Sequence, residues 1–85
     1  MRWGRVIGRT TATVKHDSLE AQRLILVQPL DAKAATEGDP MVVIDPVGSR
    51  LGDRVLLTGD GHYVRRMLGA ENAPARWAII GIIND

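Results

Sequence analysis

The chain has 85 residues, with 11 Lys or Arg against 10 Asp or Glu, so its formal charge is +1 and it has little attraction for nucleic acid or an acidic membrane. It has no cysteine, which excludes disulfide staples, thiolate metal sites and thiol nucleophiles. At 45% hydrophobic and 25% charged residues it has the composition of a globular chain, and its length allows one domain, 1–85.

Residues 1–15 alternate. One parity holds Arg2, Gly4, Val6, Gly8, Thr10, Ala12 and Val14, mostly small or apolar; the other holds Trp3, Arg5, Ile7, Arg9, Thr11, Thr13 and Lys15. This predicts a long half-buried strand, with glycines on one face as in a small, strongly curved barrel. No apolar run near ~20 residues exists to span a bilayer, and no secretory signal is expected from the opening MRWGRVIGR. A polar connection at 16–21 leads to a second apolar strand over 22–28, which Pro29 either stops or puts at an edge. Residues 31–40 read as a loop closed by Gly38, Asp39 and Pro40.

Met41–Asp45 gives a third strand, and residues 53–58 give a fourth. Gly59-Asp60-Gly61 is then a turn into a short helix over 62–68, with Tyr63, Val64, Met67 and Leu68 on one face, Asp60 as N-cap and Gly69 at its end. A final strand over 76–83 is apolar on both faces. The expected fold is therefore mainly all-β: a five-stranded OB-like barrel with one short helix between strands four and five. In the common OB-fold the helix lies between strands three and four.

A chain this short buries only somewhat more than ~60% of its unfolded surface. Phe is absent, and the aromatics are Trp3, Tyr63 and Trp77. Strands apolar on both faces need cover from elsewhere, and oligomerisation is the simplest source.

Chemistry has little to draw on. His16 and His62 stand in no metal-ligand spacing, and Ser18 and Ser49 lie in neither GxSxG nor SxxK. No catalytic residue, metal or cofactor is expected. Asp45 stands out because it follows Val42-Val43-Ile44 and precedes Pro46. A buried carboxylate there needs donors, most simply the backbone N–H groups of the turn containing Gly48 and Gly52. Gly59-Asp60-Gly61-His62 is a weak phosphate-loop candidate, since Asp60 would repel an anion. The best nucleic-acid stripe is Arg2, Trp3, Arg5 and Arg9, but the three aromatics lie in three separate segments and the total charge is near neutral, so an outward barrel face or a subunit contact is the favoured reading of it. An OB-fold nucleic-acid module is the alternative reading, and a small enzyme using Asp45 and a histidine is a third.

Taken together, GRVIGRTTATVKH at 4–16, LILVQPLD at 24–31, VIDPVGSRLGDRVLLTGDG at 43–61 and AIIGIIND at 78–85 resemble the EutN/CcmL family, the vertex proteins of bacterial microcompartment shells. The resemblance spans nearly the whole chain. Ser49-Arg50-Leu51 stand where the family commonly has Ala-Gly, and Gly59-Asp60-Gly61-His62-Tyr63 where it often has Gly-Ser-Ser-Ala-Arg. The resemblance implies a non-catalytic homo-pentamer in the cytoplasm, at the five-fold corners of a shell otherwise tiled by hexameric and pseudohexameric proteins. No nucleic-acid or membrane partner is implied. Gly59, Asp60, Gly61 and His62 are then expected near the five-fold axis. Ile25, Val27, Trp77, Ile79, Ile80, Ile82 and Ile83 are expected between protomers, and Lys15, His16, Arg50 and Arg76 are candidates for the shell-facing rim.

Overall fold

The computed structural model describes residues 1–15, 21–59 and 77–83. Five strands are seen: β1 (Arg2–Lys15), β2 (Ala21–Leu30), β3 (Met41–Asp45), β4 (Arg54–Thr58) and β5 (Trp77–Ile83). They close into a barrel in the order β1-β2-β3-β5-β4. Every neighbouring pair is antiparallel except β3 and β5, which run parallel. The helix expected over 62–68 lies outside the described residues.

The interior is filled by Val6, Ile25, Val27, Val43, Val55, Leu57 and Ile79, with Met41, Trp77 and Ile82 packed against them. Most are β-branched, the shape that suits a pleated wall curved on itself. A second buried line, Leu24, Ile44 and Ala78, runs in register across β2, β3 and β5 outside this cluster. Strands apolar on both faces are thus already used in part within one chain.

Gly4 marks where the wall is tightest. A Cβ there would collide with Val27 Cγ1 and press within 3.3 Å of both Gln28 O and Leu57 Cδ1. Glycine is needed at this point for the core to close. The alternation along β1 does not survive its whole length. A register shift falls between Val6 and Gly8 in the pairing with β2, and a second between Arg9 and Thr13. Ile7 is the extra residue of the first bulge, and beyond it the two faces exchange, as an inserted residue requires.

Pro29 does not end β2. The strand continues to Leu30, with Gly4 opposite Pro29 and Trp3 opposite Leu30. The ladder to β3 has already finished at Val27 opposite Met41, so a proline at 29 breaks no bond on that side. The connection to β3 is a tight turn. Asp31 Oδ1 accepts from the N–H groups of Lys33 (2.8 Å) and Ala35 (3.0 Å), and Asp31 N donates to Ala35 O (2.8 Å). Ala34 takes φ 64° and Gly38 φ 83° inside it. Gln28 Nε2 donates to Gly38 O (3.0 Å) and ties the loop to the barrel.

Gly4→Ala is expected to lower the unfolding free energy by about 1–3 kcal/mol through overpacking. Gly8→Ala, whose Cβ would meet only Leu26 atoms at an ordinary 3.7 Å, is expected to change it by less than about 0.5 kcal/mol. Urea titration followed by tryptophan fluorescence separates the two.

Candidate functional site

The most constrained polar group among the described residues is Asp45, 3% exposed at the end of β3. Its Oδ1 accepts from Val47 N and Gly48 N, both at 3.0 Å. Its Oδ2 accepts from Ser49 N and Ser49 Oγ, both at 2.8 Å. Three successive N–H groups converge on one carboxylate because Gly48 takes φ 84°, which L side chains rarely adopt. Arg23 on β2, directly opposite Asp45, brings Nη2 to 3.6 Å from Oδ2 and donates to Ser49 O at 3.3 Å.

The turn then folds back on β1. Arg50 N donates to Asp53 Oδ2 (2.8 Å) and Asp53 N to Arg50 O (3.0 Å). Gly52, at φ 90°, donates its N–H to Val6 O (2.8 Å), and Val6 N donates to Asp53 O (2.9 Å). Arg5 Nη1 reaches Gly52 O at 3.0 Å. Apart from the Ser49 hydroxyl and the Arg23 ion pair, both on Asp45 Oδ2, the side-chain bonds named here serve the backbone, which is the chemistry of a staple. Ser49 and Arg23 complete it, and neither was singled out from the sequence as a partner of Asp45. The signal available was a serine four residues after the aspartate, within reach of the same carboxylate.

The residues expected between protomers divide into two groups. Ile25, Val27 and Ile79 are 0% exposed inside their own chain and have no surface to offer a neighbour. Ile82 packs against the core from the barrel's rim, as does Trp77. Ile80 and Ile83 are half-buried. In antiparallel pairing, residues directly opposite share a face. Leu57 opposite Ile79 and Val55 opposite Ile82 face inward, and Leu56 opposite Gly81 faces outward, with a register shift between Leu56 and Leu57 that leaves Ile80 as the extra residue. The same bookkeeping brings forward Leu56, which the sequence reading did not place there, and Trp3, which it put on an outward face or subunit contact. Trp3 lies opposite Leu56 on β4 and opposite Leu30 on β2, so Leu30, Trp3, Leu56 and Gly81 form one line across the outside of four strands. Trp3 is 43% exposed.

Of the four residues expected at the five-fold axis, Gly59 is described and exposed, and Asp60, Gly61 and His62 lie outside the described residues. A Cβ at Gly59 would meet the Trp77 ring at 3.0 Å. Among the rim candidates, Arg50 is exposed, and His16 and Arg76 lie outside the described residues. Lys15 ends β1.

Comparison with known proteins agrees along the whole chain. The family model for the ethanolamine utilisation protein EutN/carboxysome matches residues 1–84. The microcompartment shell vertex protein EutN of Salmonella typhimurium is 32% identical over 85 residues, covering 100% of this chain and 85% of its relative. The shell vertex protein GrpN of Rhodospirillum rubrum is 31% identical over 84 residues, covering 99% and 93%. The solved structure of that GrpN, described as a pentameric microcompartment shell protein, superposes with a TM-score of 0.75 at 30% identity, covering 100% of this chain and 95% of the other. CcmL of Gloeobacter violaceus superposes with a TM-score of 0.75 at 31% identity, covering 98% and 84%.

Asp45→Ala leaves four donors facing an empty site, and an unfolding free energy lower by about 3 kcal/mol is expected. Asp45→Asn keeps one acceptor but turns a donor toward Ser49, for a loss of about 2 kcal/mol, and Ser49→Ala removes one hydroxyl bond, for about 1 kcal/mol. Denaturant titration of the three variants checks the order.

Proposed function

The chain belongs to the EutN/CcmL family of bacterial microcompartment shell vertex proteins, and from that membership we propose that its residues 1–85 act as one vertex domain whose work is mechanical and involves no catalysis. It is a structural shell protein, and its place is the corner of a microcompartment shell in the cytoplasm. Five copies form a ring, and the ring fills the five-fold gap left where flat shell tiles meet. The observation that carries this reading is a family match running over residues 1–84. Support also comes from the chain's own chemistry: the most elaborate polar arrangement among the described residues, around Asp45, is occupied by the chain's own donors.

A barrel of this topology is shared with nucleic-acid binders, but fold alone does not carry function. The +1 charge and the scarcity of aromatics give a strand-binding groove little to work with. The number five comes from relatives. The physics of one chain supplies the need for a contact between two different patches, which closes into a ring when the rotation between copies divides the circle.

Within this proposal Gly59, Asp60, Gly61 and His62 stand around the axis, and Ile80 and Ile83 supply apolar surface from β5 toward a neighbour, while Trp77 and Ile82 pack against the core of their own chain. Ile25, Val27 and Ile79 belong to the protomer core and leave that set. Hexameric and pseudohexameric shell proteins are the partners, met through exposed turns such as the one carrying Arg50.

Native mass spectrometry at low micromolar concentration is expected to give a dominant species of five times the 9.3 kDa chain. Co-expression with the hexameric shell proteins of the same compartment is expected to give closed polyhedra, and omission of this chain to give shells with open corners or elongated tubes. A clean monomer, or closed shells without it, overturns the proposal.

A further inference from the structure

We propose that the outer face of β1, β4 and β5, centred on Gly81, is one half of the contact between copies of this chain. The inference rests on the ring reading above and deepens it by naming the surface. Gly81 is the starting point. Its φ is not positive, and no described atom of its own chain lies within 4 Å of where a Cβ would stand. Gly4, by contrast, is held to glycine by Val27 and Leu57 of its own core. Glycine in a strand interior gives up packing and backbone entropy, and close approach of another backbone is one of the few arrangements that needs it. Among the described residues nothing asks for glycine at 81, and a neighbouring copy is the body we assign to the open position.

The surroundings fit that occupant. Leu30, Trp3, Leu56 and Gly81 stand in one line, so a half-buried leucine is next to the open position and an indole 43% exposed lies one strand beyond it. A large aromatic near a flat gap is the composition of an interface centre. The adjacent line on the same face is Arg5, Arg54 and Ile83, which sets two guanidinium groups beside the apolar row.

The same chain carries the complement. The 31–40 loop holds Asp31, Glu37 and Asp39 against Lys33, and Glu37 and Asp39 are exposed. Glu37 is held only loosely, by Arg2 at 3.9 Å. A head-to-tail ring needs two unlike patches on one chain. The apolar face edged by Arg5 and Arg54 and the acidic loop meet that need, and the committed occupant is a second copy that presents its acidic loop.

The test is native mass spectrometry with sedimentation velocity on the full chain. Gly81→Arg is expected to leave circular dichroism and unfolding of the protomer intact and to raise the concentration for half-dissociation of the ring by about 100-fold or more. Trp3→Glu, a change at an exposed position away from the core, is the second variant, with the same expected outcome. The double change Glu37→Lys with Asp39→Lys is expected to weaken the ring, and adding Arg5→Glu to restore it in part. Leu51→Glu, 66% exposed on the turn and outside this face, is expected to leave the ring unchanged. A Gly81→Arg protein that still forms the wild-type ring overturns the proposal, as does one whose ring survives while co-assembly with shell hexamers is lost. If the unaltered chain forms no ring, the vertex reading itself has failed, and that outcome is seen before any variant is made.

Discussion

The narrow interior of a five-stranded barrel governs the rest of this protein. Among the described residues seven buried side chains fill it, none larger than leucine or isoleucine. At Gly4 even a methyl group would not fit. Closure removes the free sheet edges that a small open sheet would expose, but it also caps how much apolar surface one chain can hide. The rest of the hydrophobic sequence must lie on the outside. Some of it is covered locally, as in the line Leu24, Ile44 and Ala78. Some, such as Trp3, Ile7, Val47 and Leu51, stays in contact with solvent. In a chain of 85 residues the surplus is large relative to the core, and association is the physical outlet for it. The structural role at a shell corner follows from the same geometry that stabilises the protomer.

The sequence showed this architecture clearly where one physical signal acted alone. Alternation marked β1, and β-branched runs marked β3 and β4. The isolation of Asp45 between Ile44 and Pro46 pointed to a buried carboxylate facing a glycine turn. It was less informative where two signals competed. Pro29 read as a stop or an edge because proline removes a donor, and only the register shows that the donor was not needed beyond the end of the β2–β3 ladder. The bulge at Ile7 leaves no trace in composition, so a single parity could not follow β1 through it. The interface candidates failed for a similar reason. Ile25, Val27 and Ile79 look no different in sequence from Ile80 and Ile83, and only the register tells which side of the wall each occupies. Trp3 and Leu56 sit on the same outer line although 53 positions separate them, and no local pattern conveys that pairing.

The Asp45 staple joins these two levels. It fixes the path of residues 46–53, and that path delivers Gly52 and Asp53 to the backbone of Val6. Through this link the turn sets where β4 begins, and hence which residue of β4 lies opposite Trp3. A carboxylate with four donors in a low-dielectric setting is a rigid anchor. The outer face therefore takes its shape partly from a group buried beneath it.

The seam between β3 and β5 has a different consequence. Among the described residues it is the one parallel joint, and two register pairs, Val43 with Trp77 and Ile44 with Ala78, hold it. The strands it joins are separated by more than thirty residues of chain, and β1 and β4 by more still, so the entropy of loop closure falls on both of these joints rather than on the hairpins. The order of events in biogenesis follows. The β1–β2 hairpin can zip early, and the two long-range joints, β1–β4 and β3–β5, close later. A protomer whose seam has not yet sealed holds β5 through β4 alone, Gly81 still opposite Leu56. Such a chain presents the open edges of β3 and β5, the kind of edge on which strands of different chains mispair, so sealing the seam is also what keeps the unassembled protomer from aggregating.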